Sequence, residues 1–170
     1  DQLLDSDSQP DIDEALLFRY HPMAEMIYTL PHAQMNWLYR MVNTGRPLRE
    51  KMALFWHHVF ATGNDKVTDA FAMHSQISMF REHGMGNYRD LLVRLAKNPA
   101  MIYWLDNQDN HNGAINENWG RELLELFTLG IGNYSEDDVK EASRAFTGWT
   151  LGNAEYMAMR ASKDSIWPYG

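Results

Sequence analysis

His57, Asn118, Glu122 and Glu125 are the residues whose types could act together chemically: an imidazole, an amide and two carboxylates. Three of the four fall in one run, Asn116-Glu117-Asn118-Trp119-Gly120-Arg121-Glu122-Leu123-Leu124-Glu125. In this run Glu117, Arg121 and Glu125 recur every fourth residue, so a helix places them on one stripe as an acid-base-acid ladder. Leu123, Leu124 and Phe127 already occupy the apolar side, and a helix this crowded with carboxylates is expected to turn some inward. A buried carboxylate needs a cation or hydrogen-bond donors to offset its desolvation. Two readings follow. In one, Glu117, Arg121, Glu122 and Glu125 form a structural network completed by Arg40, Arg81 or Arg144. In the other, His57, Asn118, Glu122 and Glu125 converge on a pocket. If the helix buries its charges, removal of Arg121 or Glu122 is expected to destabilise the fold by more than a surface ion pair could.

His57 lies in Trp56-His57-His58-Val59-Phe60. Successive residues on a helix point about 100 degrees apart, so His57 and His58 cannot chelate one ion as an i, i+4 pair does. The loop from Asp106 to Glu117 gathers Asp106, Asn107, Asp109, Asn110, Asn112, Asn116 and Glu117, an oxygen-rich composition that invites calcium. Its register opposes an EF-hand: with Gly113 at the sixth position, Gln108 and Trp119 fall where acidic ligands are required. Asn and Asp are also what a tight loop uses to bond its own backbone and cap the following helix, and the self-capped reading is preferred. No metal and no cofactor is expected. Zincin, di-iron, phosphate-loop and nucleophile-elbow patterns are absent from the sequence.

These residues are positioned by helices. Residues 1 to 30 read as an acidic lead-in and an irregular segment, the apolar positions after Ala15 being cut by Pro22. Residues 31 to 149 form the helical core domain. Pro31 opens a helix through Trp37, Leu38, Met41 and Val42, and Pro47 opens one through Leu48, Met52, Phe55, Trp56, Val59 and Phe60. Further helices are predicted from about Lys66 to Glu82, from Asn87 to Lys97 and from Pro99 through Leu105. The last two run from Asn116 to a Gly130 cap, and from Ser135, with Asp138 as a capping-box partner, to the residue before Gly148. Residues 150 to 170 read as an irregular C-terminal segment, with a short helix around Ala154 to Arg160. The fold class is all-α, an irregular bundle of about seven helices in a single domain.

Composition narrows the function classes. Fifteen basic residues against 23 acidic ones give a net charge of -8, which disfavours nucleic-acid binding because that affinity rests on clustered cations. The absence of cysteine excludes disulfides and thiolate chemistry, and no apolar run is long enough for a transmembrane helix. Eleven methionines point to adaptable packing.

The run Asn116 to Gly130, with Gly132-Asn133-Tyr134, Asp138-Val139-Lys140-Glu141 and Ala145-Phe146-Thr147-Gly148-Trp149, resembles the bacterial domain of unknown function 1800 family. A second block agrees in order and spacing: Trp37 to Met41, Pro47 to Met52, Leu54 to His57, Phe60, Thr62, Lys66-Val67, Phe80-Arg81, His83 and Gly86 to Asp90. The resemblance spans roughly residues 35 to 149. It implies a portion of a longer bacterial protein, exported and located in the periplasm, envelope or cell surface. The family usually carries histidines at the positions of His57 and Val59, and this chain keeps only the first. The leading expectation is a helical binding or assembly domain that contacts protein partners through aromatic and Met-rich surfaces. The alternative is an enzyme or metal-dependent catalyst with a His/Asn/Glu site assembled from several helices.

Overall fold

In the computed structural model, residues 8–20 and 29–152 are described, and within them the chain is all-α. Eight α-helices follow one another: α1 Glu14–Tyr20, α2 Leu30–Asn43, α3 Pro47–Val59, α4 Ala70–His83, α5 Tyr88–Ala96, α6 Pro99–Trp104, α7 Asn118–Glu125 and α8 Glu136–Ala145. A 3-10 turn at Asn107–Asp109 sits between α6 and α7. α4 is the central element and packs against α2, α3, α5 and α6, while α7 and α8 pair with each other.

The helix starts are written locally. Asn87 accepts from the backbone N–H of Arg89 and Asp90, Asn98 from Ala100 and Met101, and Ser135 and Asp138 close a full capping box. α4 begins at Ala70, later than the expected Lys66, because the Asp69 carboxylate accepts from Phe71 and Ala72 and sets the first turn there. α7 ends at Glu125, ahead of Gly130. Residues 126 to 129 leave the helix and carry Phe127 into the core, and Gly130 closes the turn at φ +80, where a side chain would be strained. Within residues 1 to 30, Glu14–Tyr20 form the helix not expected from sequence. Asp13 accepts from Ala15 and Leu16 to start it, and Leu17 is fully buried. The break at Pro22 and the helix around Ala154 to Arg160 lie outside the described residues.

One aromatic-rich core joins the two ends of the domain. Trp56 stacks on Tyr88 and on Phe60; Phe60 stacks on Phe80 and meets Phe127 edge-on at 5.0 Å. Trp119 continues the series to Phe146 at 5.6 Å. Leu91, Leu95, Met101 and Ile77 fill the space around the rings.

Which apolar residues face inward differs from the expected stripes. Leu38 and Val42 on α2, and Phe55 and Val59 on α3, are exposed. α3 instead turns Glu50 and Ala53 inward, the expected Phe60 is buried just past its end, and the small Ala53 lets α4 approach that face.

Candidate functional site

The inward stripe of α3 carries the buried acid of the domain. Glu50 is 4% exposed, the lowest of any charged residue among those described. It accepts from both Nε and Nη2 of Arg81 on α4, and from Trp37 Nε1 on α2 at 2.9 Å. Three helices therefore meet on one carboxylate. The forked guanidinium matches the two carboxylate oxygens, which is the geometry that best offsets desolvation of such a pair. Arg81 also donates from Nη1 to Ser78 Oγ at 3.3 Å, and that hydroxyl lies 3.4 Å from His74 Nε2.

Beside this ion pair is a cavity of about 290 Å³ between α2, the end of α3 and α4. Its walls include Trp37, His57, Asn64, Met73, His74 and Ile77. The Trp37 ring meets His57 edge-on, with centroids 5.5 Å apart. Burial lowers the pKa of His57, and the neighbouring His58 lowers it further. Burial likewise lowers that of His74, reinforced by Arg81 and Arg40 and opposed by Glu14. Both imidazoles are thus held toward the neutral form at neutral pH. His57 Nδ1 is buried with no hydrogen-bonding partner among the described residues.

The four expected site residues do not meet in this cavity. His57 lines it, but Asn118, Glu122 and Glu125 do not. Asn118 donates to Asp106 at 3.4 Å, and Glu125 accepts from the Tyr134 hydroxyl at 2.5 Å. Glu122 is half-buried; burial raises its pKa, the Glu125 charge adds to this and Arg121 opposes it. The reason is topological, because α7 pairs with α8 while His57 faces α2 and α4.

The network expected on α7 has different partners from those proposed. Arg121 donates to Glu117 at 3.2 Å, but its second acid is Glu136 of α8, at 2.7 Å, and no bond to Glu125 is formed. Arg40 pairs with Glu14, Arg81 with Glu50 and Arg144 with Glu141. The Arg121 pairs lie at the surface, where solvent screens them and side-chain entropy opposes them. Arg121→Ala is therefore expected to leave the urea midpoint within experimental scatter of the unsubstituted protein, a correction to the larger effect expected from sequence. A clear drop in the midpoint would show that the α7–α8 contact depends on this charge.

The oxygen-rich loop is tied down by Asn110, which is fully buried. Its amide donates to Asn107 Oδ1 and to the Ser143 carbonyl of α8, and its oxygen accepts from Asn116 N–H. Asn116 in turn accepts from Asn118 N–H at the start of α7. Lys66 binds Asp106 at 2.7 Å and the Trp104 carbonyl at 2.8 Å. The loop's side chains thus cap its own backbone and anchor it to α8.

His74, Trp37 and Glu50 escaped the sequence reading as site residues. A signal existed: His74, Ser78 and Arg81 recur at i, i+4 and i+7 on α4, a polar stripe on the central helix.

These features define the class of protein: an all-α domain with an aromatic core, a buried ion pair and a cavity walled by two half-buried histidines. The chain belongs to the family described as "Protein of unknown function (DUF1800)", whose sequence profile matches residues 2–166. Comparison with curated proteins and with solved structures found no match.

Proposed function

We propose that this chain is a helical assembly domain of an exported or envelope-associated bacterial protein, and that it pairs with a second copy of itself through the outer face of α2. The observation that carries this is an apolar stripe on the outer side of that helix. Its inward side holds Asn36 and Arg40, and Arg40 donates to Asn36 at 3.0 Å and to Glu14 at 2.5 Å. Opposite them, Met35, Leu38 and Val42 are 54%, 56% and 74% exposed. An amphipathic helix ordinarily buries its apolar residues, and this one, while turning Ala33 and Trp37 inward, leaves a second apolar stripe in solvent at i, i+3 and i+7. That spacing is the seam of a helix pair.

The choice of a second copy rests on charge. Arg40 is the one formally charged residue of α2 apart from a histidine, and it points inward. Two copies of the stripe related by a twofold axis, with Leu38 near its centre, would therefore set no charge of one α2 against that of the other, despite the net charge of -8. The exported location is supported by the family resemblance alone. No described helix is long and apolar enough to cross a membrane.

Sedimentation velocity tests the pairing. The chain is expected to shift from monomer to dimer between micromolar and millimolar concentration. Val42→Asp, at a site with three-quarters of its surface in water, is expected to weaken association by at least about tenfold while leaving the helical circular dichroism unchanged. A chain that stays monomeric throughout, or a Val42→Asp variant that dimerises equally well, overturns the proposal.

A further inference from the structure

We propose that the cavity between α2, α3 and α4 is a binding site for a small, uncharged aromatic molecule bearing a hydroxyl group. Four properties of the cavity point to that chemistry.

The first is size. At about 290 Å³ the space is near the lower end of ligand pockets, and a void of about half that volume accommodates benzene. One or two fused rings fit. The second is the floor. Met73, Ile77 and Thr62 are buried, and the Thr62 hydroxyl donates to its neighbour Phe60's carbonyl, so the interior surface is largely apolar. Gln34 and Asn64 are exposed and stand at the mouth.

The third is the state of the charges. No acid, lysine or arginine lines the cavity. The charges around its wall are paired off, Glu50 with Arg81 behind Trp37 and Arg40 with Glu14. A charged ligand would lose its hydration and gain no counter-ion, which costs far more than a neutral ligand would lose. The fourth is the pair of histidines. A neutral imidazole offers one donor and one acceptor, the complement of a hydroxyl group; His57, whose Nδ1 has no partner among the described residues, is the ring left to meet it, because His74 Nε2 already lies 3.4 Å from Ser78 Oγ. Trp37, fixed by its bond to Glu50, and the polarizable Met73 provide surfaces suited to a ring. This site is independent of the α2 outer face, because Trp37 and Ala33 line it from the inward side of that helix.

The test titrates the whole chain with 2-naphthol, naphthalene and 2-naphthoate, following the imidazole proton resonances of His57 and His74. Saturable binding of 2-naphthol with shifts at both histidines is expected, with 2-naphthoate at least about tenfold weaker. Ala33→Phe fills the cavity from the α2 side and is expected to abolish binding. His57→Leu keeps the volume but removes the hydroxyl's partner, and is expected to erase the preference for 2-naphthol over naphthalene. Because Ala33→Phe could unfold the chain, its helical signal is recorded, and the His57→Leu arm stands without it. The proposal is overturned by an absence of saturable shifts at millimolar 2-naphthol, by equal affinity for 2-naphthoate, or by a His57→Leu variant that keeps the hydroxyl preference.

Discussion

Glu50→Ala is expected to lower the stability of the domain by about 3 to 5 kcal/mol, the cost of breaking a buried ion pair from one side. The carboxylate leaves behind Arg81, whose side chain is only 14% exposed, and the Trp37 indole N–H that also donated to it. Water cannot reach the abandoned guanidinium well enough to replace the lost acceptor. The attraction within the pair is not what this number measures. Glu50→Leu combined with Arg81→Leu removes both charges, and is expected to recover much of the loss because no unpaired charge is then buried. Urea denaturation of the single and double variants gives the comparison. A loss below about 1 kcal/mol for Glu50→Ala would place the pair in the class of solvent-screened surface bridges.

Gly120→Ala is expected to be the next most damaging change, with a net loss of about 2 to 3 kcal/mol. Helix propensity alone predicts the opposite sign, since alanine is favoured over glycine by about 1 kcal/mol in a helix interior. Packing decides the outcome. A Cβ on residue 120 would lie 2.2 Å from Ser143 Oγ, 2.9 Å from Ser143 N and 3.1 Å from the Val139 carbonyl oxygen. Two of these are backbone atoms of α8, and Ser143 Oγ is itself held by donating to the Val139 carbonyl at 2.8 Å. α7 and α8 would have to separate. Adding Ser143→Ala removes the worst overlap but not the backbone ones, so the double variant should regain only part of the loss. A Gly120→Ala protein as stable as its parent would mean that the two helices are not in such close contact.

The sequence was most legible where structure is local. Ser135 and Asp138, Asn98 and Pro99, and Pro31 and Pro47 determine helix starts through bonds or fixed dihedrals within a few residues, so reading them needed no knowledge of the fold. The family motifs were legible for the same reason: they are runs of sequence. Helix facing was not. Periodicity finds an apolar stripe and supposes that it is buried, but on α2 the polar Asn36 and Arg40 side packs inward because Glu14 and the α4 neighbours receive it. The same limit concealed the buried acid. Glu122 and Glu50 are both helical glutamates, and only the meeting of α2, α3 and α4 gives Glu50 its arginine and its indole. α1 was missed because seven residues are too few for a periodic signal, and the burial of Leu17 is a tertiary fact.

The ring series from Tyr88 through Trp56, Phe60 and Phe127 to Trp119 and Phe146 bears on how the domain comes apart. α7 and α8 look like a detachable hairpin at one end, yet Trp119 and Phe127 are lodged in the same core as Phe60 and Phe80. Peeling the hairpin away would open the central packing of α3 and α4 at once. The two ends are therefore one cooperative unit, and local opening is confined to segments that contribute no ring, such as the turn carrying the exposed Leu129 and Ile131. Amide protons in α8 should exchange with solvent on the same slow timescale as those of α4, although α8 lies at the edge of the fold.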